Sequence, residues 1–415
     1  MKRKLLIILG VLVLTLTLAV GITACGQSGG DDEAVVEEEQ GPIINPLTGA
    51  ESPDGLPVRP VIVSIDNVGE AVPQSNLSYA DLIYEFPVEG LQTRLEAVFY
   101  TQHPDFVGPI RSTRPYFVDL TREYQGVFVA YGWSPDAKRY LKERHVPWIN
   151  GMVHTELYHR VSDKPAPHNA YIDWENIEKH AKENGDWFAP EKQKNIRPFK
   201  FAGVNEEEAD QALADEMAEL AAASGETEES GEAEEEAVTD ETAVDENAEE
   251  VQEEPVKPVT KLCDSVKFDY TYSHCAFDYD EENGVYLRSV KGSPYIDKES
   301  GEQMSCKNIL VQEVSSEVLD YKGRLAIDMC EGGKALLFTN GTVVKGTWSR
   351  ADLDLRTVFV DENGNQFELM PGNSWVEVVD QNCTVSYEAE DIPEEETSEA
   401  DNSGEGEPEG ETEAE

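Results

Sequence analysis

Residues 108–114 carry the densest group of side chains that could bind a ligand. Arg111 and Arg114 lie three residues apart with Ser112 between them, directly before Pro115. Proline favours the first position of a helix, so Arg111, Ser112 and Thr113 are expected in the turn that enters it, where unpaired backbone N–H groups attract an anion. Guanidinium groups bind carboxylate or phosphate through paired hydrogen bonds. The segment therefore predicts an anion-binding subsite.

Arg94 is expected to contribute to the same subsite, with Glu85 and His168 nearby. The alternative is that the three arginines form buried ion pairs that only stabilise the fold, because charge clusters are often structural. The acids available for such pairs are Glu85, Glu89 and Asp119. The sequence leaves both interpretations open.

Two further groups could carry catalysis. Glu85 and Glu89 could act as acid and base on a glycan if their carboxyl groups lie about 5–9 Å apart, although Glu89 before Gly90 also fits a turn. His168 and Asn169 follow two prolines in a stiff loop and are candidates for ligand binding. The imidazole of His168 could also transfer protons or simply anchor the chain.

A serine hydrolase is weakly indicated. Ser112 and His168 could belong to a triad, but no G-x-S-x-G elbow supports one. The histidine spacings match no zinc signature, and neither a metal nor another cofactor is predicted.

The elements that must position these residues indicate an α+β fold. Residues 42–202 contain β-branched and aromatic runs bounded by Pro and Gly, which predict strands. The predicted strands are Pro60–Ile65, Asp81–Val88, Arg94–Tyr100 and Val127–Tyr131. Helices are predicted to start at Pro115, after Ser134 and after Asp173. This first block is expected to be a mixed α/β domain.

Residues 259–387 indicate a β-rich, antiparallel domain. Three Asn-Gly pairs, at 283–284, 340–341 and 363–364, are typical of hairpin turns that require a positive φ. The region holds five cysteines, an odd number, and two bridges or scattered free thiols are equally compatible with their spacing. These cysteines are Cys263, Cys275, Cys306, Cys330 and Cys383.

The amino terminus has the pattern of an export signal. Lys2, Arg3 and Lys4 precede an apolar run that ends in small residues before Cys25. A cysteine in this position resembles a lipobox, in which the thiol receives a lipid and residues 1–24 are removed. The alternative is an uncleaved membrane anchor. Both predict an extracytoplasmic protein held at the bacterial cell membrane.

The net charge of −51 is concentrated in a few acidic stretches. Half of the 84 acidic residues lie in 31–40, 206–254 and 388–415. Their composition predicts disorder in a tether (25–41), a linker (203–258) and a tail (388–415). The chain has no strong basic face, so nucleic-acid binding is not expected.

Ordered motifs along the chain resemble one known family. They include Asn45-Pro46-Leu47-Thr48-Gly49, Gly108-Pro109-Ile110-Arg111-Ser112-Thr113-Arg114, Ala166-Pro167-His168-Asn169 and Pro371-Gly372-Asn373-Ser374-Trp375. In this order they resemble the YerB-like lipoproteins, a two-part family. The resemblance covers roughly residues 42–200 and 259–380. It implies a mixed α/β part followed by a β-rich part, and no established activity.

These observations favour a lipid-anchored protein that binds an anionic or polar ligand of the cell envelope, such as a wall fragment, or that acts as a scaffold. An envelope hydrolase and a binding partner for another envelope protein are the alternatives. Enzymatic activity is not the favoured interpretation.

Overall fold

The computed structural model describes residues 43–53, 55–189, 199–204 and 259–392. The predicted signal peptide, Cys25 and the acidic tether lie outside these residues, as do most of the predicted linker and tail. The description that follows concerns the described residues.

Three α-helices form in the described part of the chain, and each begins where the sequence predicts. α1 and α2 have Pro115 and Pro135 at their first position, and the Ser134 hydroxyl accepts a hydrogen bond from the backbone N–H of Ala137. The helices are α1 (Pro115–Glu123), α2 (Pro135–Glu143) and α3 (Trp174–Glu183). Short 3-10 turns span Leu77–Tyr79, Glu89–Leu91 and Thr155–Leu157.

The first block contains nine strands, and the four predicted ones are present within two residues of their predicted bounds. The strands are β1 (Val61–Asp66), β2 (Leu82–Val88), β3 (Gln92–Phe99), β4 (Phe106–Val107), β5 (Val127–Ala130), β6 (Trp148–Asn150), β7 (Tyr158–Arg160), β8 (Ala170–Asp173) and β9 (Lys200–Phe201).

The second block consists of strands and loops among its described residues. The strands are β10 (Thr260–Leu262), β11 (Ser265–Asp269), β12 (His274–Asp280), β13 (Val285–Val290), β14 (Ser293–Pro294), β15 (Ser305–Cys306), β16 (Asn308–Glu313), β17 (Ser316–Val318), β18 (Leu325–Ile327), β19 (Gly332–Thr339), β20 (Thr342–Ser349), β21 (Val358–Asp361), β22 (Glu368–Leu369), β23 (Ser374–Val379), β24 (Thr384–Tyr387) and β25 (Glu390–Asp391).

The hairpin signals place turns correctly. Asn340 and Gly341 connect β19 and β20 with φ angles of 49° and 69°, the left-handed values that a two-residue hairpin needs. The loop with Asn283 and Gly284 connects β12 and β13. The predicted fold class, α+β with a β-rich second part, is therefore confirmed.

One sheet of twelve strands runs through both blocks. Its order is β25-β10-β20-β19-β16-β23-β2-β3-β1-β5-β6, and β21 pairs with β20. The blocks meet where β2 and β23 pair in parallel, with Leu82 opposite Ser374 and Glu85 opposite Glu377. A second sheet, of six strands, contains β11 to β15 and β24.

The large sheet is covered on both faces. Along β2, Tyr84 and Phe86 pack into one core with the aromatic side chains of α1, while Ile83 packs into the other. This second core includes Phe277 of the six-stranded sheet and Trp375 of β23. Successive side chains of a strand point to opposite faces, so β2 and β23 are buried throughout, as strands covered on both faces must be.

Candidate functional site

The arginine-rich segment lies between the carboxyl ends of two parallel strands. β1 and β5 pair directly up to Val63 and Val129. Beyond that point the segment separates them: the Arg111 N–H donates to the Ser64 carbonyl at 2.9 Å, and the Tyr131 N–H donates to the Arg111 carbonyl at 2.9 Å. Crevices at the carboxyl ends of parallel strands are common ligand sites.

A buried carboxylate holds two of the candidate side chains together. Asp66 is the last residue of β1 and is only 1% exposed. Its Oδ2 atom lies 2.7 Å from Nδ1 of His168 and 3.3 Å from Nε of Arg111. A carboxylate bound to one ring nitrogen fixes the orientation of an imidazole. Arg111 and His168 are therefore oriented side by side by Asp66.

The outer atoms of this pair have no protein partners. Within the described residues, Nε2 of His168 and the two terminal nitrogens of Arg111 make no hydrogen bond. The side chains are 17% and 26% exposed, respectively. The terminal nitrogens of Arg111 can therefore donate hydrogen bonds to a ligand without breaking an internal contact, and Nε2 of His168 can do so when the ring carries both protons.

The other two arginines are held internally, Arg114 by the predicted ion pair with Glu89 and Arg94 by a backbone carbonyl. Arg114 donates from Nε to Glu89 at 2.8 Å and from Nη1 to the Thr113 carbonyl at 2.8 Å. Arg94 donates to the Ser112 carbonyl at 2.6 Å. Both are at least 90% buried, so they shape the segment and add positive charge behind it.

Burial and neighbouring charges shift the pKa values of Arg94 and Glu89. Burial lowers the pKa of Arg94 to about 10, and the positive charge of Arg114 adds to that effect. Burial would raise the pKa of Glu89, but the hydrogen bonds and charge of Arg114 outweigh it and lower that pKa. Glu89 is thus an ionised partner of Arg114 and a poor proton donor.

Ser112 is fixed away from His168. Its hydroxyl donates to the Tyr131 carbonyl at 3.1 Å, and it makes no hydrogen bond with His168 among the described contacts. Gly132 is required beside it, because a Cβ there would lie 2.5 Å from the Ser112 hydroxyl oxygen and φ is +104°. The serine–histidine pair of a triad is not formed.

Asn169 anchors the loop that carries His168. Its side chain accepts from Arg160 at 2.6 Å and donates to the Val161 carbonyl at 2.9 Å. His168 therefore faces a possible ligand, whereas Asn169 supports the loop internally.

Glu85 lies in the core. Its carboxylate is fully buried and forms an ion pair with Arg288, which also donates to Glu377 at 3.0 Å. Since Glu85 contacts the six-stranded sheet whereas Glu89 contacts Arg114, the two acids do not share a site. Glu85 is a structural residue rather than a catalytic one.

The core acids also provide the one metal-like grouping in the described residues. Ligand atoms of Glu85, Cys275 and Glu377 lie within 4.8 Å of one another. Arg288 already supplies a positive charge to both carboxylates there, so the grouping is satisfied without an ion. The five cysteines of the second block are all free thiols in the described chain.

Sequence reasoning missed Asp66 and Glu96. Asp66 ends a buried apolar strand, and a polar residue in that position is the signal that could have identified it. Glu96 is fully buried on β3 and accepts from the Ser64 hydroxyl at 2.8 Å. Burial raises the pKa of Glu96 to about 8, against the opposing effects of Ser64 and Arg94.

This shift predicts a pH dependence of stability. Folded Glu96 retains its proton up to about pH 8, whereas the unfolded side chain loses it near its ordinary pKa of 4.5. The stability that Glu96 contributes is complete below about pH 4.5 and is lost as the pH rises to about 8. We expect Glu96→Gln, which cannot ionise, to gain stability relative to wild type over this window. Urea unfolding at about pH 5 and pH 8 measures the gain, and an equal difference at both pH values would contradict it.

Comparisons with known proteins decide the family. Residues 47–187 match the family model "Protein of unknown function (DUF3048) N-terminal domain", and residues 265–376 match its C-terminal counterpart. Over 340 residues the chain is 30% identical to "Putative lipoprotein YerB" of Bacillus subtilis (strain 168), covering 80% of this chain and 85% of that protein. The chain belongs to the YerB-like DUF3048 family.

The crystal structure of YerB protein from Bacillus subtilis supports the same assignment. It aligns with a TM-score of 0.63 at 28% identity, covering 83% of this chain and 99% of that one. The curated relative is named as a lipoprotein. Among the described residues of this YerB-like chain, no helix has the length and apolar character needed to cross a membrane.

Proposed function

We propose that this protein is a lipid-anchored, extracytoplasmic component of the bacterial envelope that binds an anionic ligand at Arg111 and His168. The observation that carries the proposal is that one buried carboxylate, Asp66, orients both side chains while their outer nitrogens remain without protein partners. Donors that are oriented before binding lose little entropy when the ligand arrives.

The local charge favours an anion although the whole chain is acidic. Three guanidinium groups lie around the segment, against the carboxylates of Asp66 and Glu89. Glu96 is neutral below about pH 8, so the cluster has a net positive charge. Carboxylate and phosphate groups of wall material have the matching charge and geometry.

The proposed location rests on the amino terminus and the relative. The charged start, apolar run and Cys25 have the pattern of a lipidated export signal, and the curated relative is named as a lipoprotein. Two or three acyl chains on Cys25 would hold the protein at the membrane surface.

Removing the Arg111 guanidinium is expected to weaken anion binding about tenfold or more, because a hydrogen bond to a charged group contributes about 1.5–3 kcal/mol. Calorimetric titrations of wild type and Arg111→Ala with glycerol 3-phosphate and with muramyl dipeptide measure this, and they distinguish a phosphate from a carboxylate ligand. Arg139→Ala is the matched control, since Arg139 forms an exposed ion pair with Asp136. Equal binding by both variants, or no binding of either anion by wild type, would refute the proposal.

A hydrolase is a second candidate, favoured by the His168–Asp66 pair. A buried carboxylate on Nδ1 leaves Nε2 available as a general base or acid. Chromatography of the titration mixtures for cleaved muramyl dipeptide separates turnover from binding.

A partner-binding role is a third candidate, favoured by the β17–β18 hairpin. Val318, Leu319 and Tyr321 are 68%, 50% and 92% exposed. Exposed apolar side chains grouped in this way are typical of contact surfaces. The proposed anion site and such a surface are compatible with each other.

A further inference from the structure

A large cleft lies beyond the ends of the central strands of the twelve-stranded sheet, at the opposite ends from Asp66. Its volume is about 790 Å³, within the usual range of small-molecule sites. Both blocks line it: residues within 45–53, 55–57, 78–81 and 101–102 come from the first block, and residues within 300–305 and 372–373 come from the second. A ligand bound here would contact both blocks at once.

The floor of the cleft is a rigid polar network. Asp81 is 5% exposed and accepts hydrogen bonds from Asn45 Nδ2 and the Tyr100 N–H, each at 2.7 Å, and from the Thr101 hydroxyl at 2.9 Å. Asn45 belongs to the Asn-Pro-Leu-Thr-Gly motif, to which the anion site gives no role. The network holds that motif in place.

The second block is attached to the same loop. The Gly372 N–H donates to the Thr48 carbonyl at 2.7 Å. Gly49 has a φ of +65°, and a Cβ there would lie 2.4 Å from the ring of Phe201. The cleft therefore has walls of fixed shape, as a preorganised binding site needs.

The side chains that line the cleft indicate the class of ligand. Neutral hydroxyl and amide groups predominate, among them Ser78, Gln102, Gln303 and Asn373. Three carboxylates, but no lysine, arginine or histidine, occur among the described lining residues. Anions are therefore disfavoured, whereas a ligand that both donates and accepts hydrogen bonds matches the lining.

One observation favours a neutral ligand over a cation, and a second matches a sugar. The Asp81 carboxylate already accepts several hydrogen bonds, and burial raises its pKa, so it is a weak partner for an added positive charge. Tyr79 lines the cleft and is 42% exposed. An exposed aromatic ring offers an apolar face beside polar groups, which suits the C–H face of a sugar ring.

We infer that this cleft is a second binding site, specific for a neutral saccharide. It is separate from the anion site, because the strand register places Asp66 level with Phe86, five residues along the chain from Asp81, or about 17 Å at about 3.3 Å per residue. The inference therefore does not depend on the proposed function.

The test is calorimetric titration of the full chain with chitotetraose and cellotetraose as neutral probes, and with spermidine as a cation. We expect one or both saccharides to bind wild type, and Tyr79→Ala and Gln102→Ala each to weaken that binding about tenfold. Tyr321→Ala, an equally sized change at a 92% exposed ring outside the cleft, should bind as wild type does. Arg111→Ala should also bind the saccharide normally.

The inference is overturned if neither saccharide binds wild type at millimolar concentration, if spermidine alone binds, or if Tyr79→Ala and Tyr321→Ala bind equally well. Loss of saccharide binding in Arg111→Ala with retention in Tyr79→Ala would place the sugar at the anion site and would also overturn it.

Discussion

Arg288→Met is expected to lower the free energy of unfolding by about 3–5 kcal/mol, the usual cost of removing one partner from a buried ion pair. Arg288, Glu85 and Glu377 all have fully buried side chains. Without the guanidinium, the Glu85 carboxylate has no compensating charge in the core. Urea unfolding followed by tryptophan fluorescence measures the loss, since the Arg288 guanidinium lies 4.2 Å from the centre of the Trp375 ring.

The size of this effect follows from the position of the ion pair. Glu85 lies on β2 of the first block, while Arg288 and Glu377 belong to the second block. Burial, and after it the charge of Glu85, raises the pKa of Glu377 to about 8. Near neutral pH Glu377 therefore largely retains its proton, and the ion pair of Arg288 with Glu85 joins the two blocks.

Two comparisons make the stability test decisive. Arg139→Met removes an exposed ion pair and should cost about 1 kcal/mol or less. Adding Glu85→Gln and Glu377→Gln to Arg288→Met should restore part of the lost stability, because no buried charge remains. A loss below about 1 kcal/mol for Arg288→Met alone would show that the ion pair does not hold the blocks together.

Asp66→Asn is expected to weaken anion binding more than Arg111→Ala does, by well over tenfold. The substitution keeps the size of the side chain but removes the charge that holds both His168 and Arg111. One hydrogen bond to a charged group, of about 1.5–3 kcal/mol, and one ion pair are weakened at once. Titration with the anion that binds wild type best measures the effect.

The chain offers a matched control for this substitution. His274 and Asp269 lie 2.7 Å apart, the same distance as His168 and Asp66, but both are about half exposed. Asp269→Asn should leave binding unchanged. If Asp66→Asn binds as tightly as Asp269→Asn, then Asp66 does not organise a ligand site.

The local structure was predictable because it depends on local chemistry. Pro115 and Ser134 mark helix starts through backbone geometry and capping. Asn340 and Gly341 mark a hairpin because they tolerate the left-handed backbone that it needs. None of these signals depends on the rest of the fold.

The pairing of β2 with β23 could not be predicted in this way. Leu82 and Ser374 are partners although 292 positions separate them in the sequence, and no turn chemistry predicts such a long-range contact. The true position of Glu85 depends on this pairing, because the adjacent strand and the six-stranded sheet bury it. Residue type alone therefore predicts an accessible acid at Glu85, whereas the fold buries it.

The site was predicted in part for the same reason. Arg111 and His168 were identified by residue type, but 57 positions separate them, and only the fold brings both to Asp66. The roles of Arg94 and Arg114 depended on which carbonyls and acids surround them. Residue type indicated the chemistry, and tertiary contacts decided which groups remain available.

The most direct test of the proposed site is an NMR titration of the histidine ring signals of the ¹⁵N-histidine-labelled protein with glycerol 3-phosphate and with muramyl dipeptide. We predict that Nε2 of His168 shifts and saturates with one of these anions, that His274 does not respond, and that the response of His168 is largely lost in Asp66→Asn. A His168 signal that is unaffected by both anions, or that moves in parallel with that of His274, would contradict the existence of an anion site at Arg111 and His168.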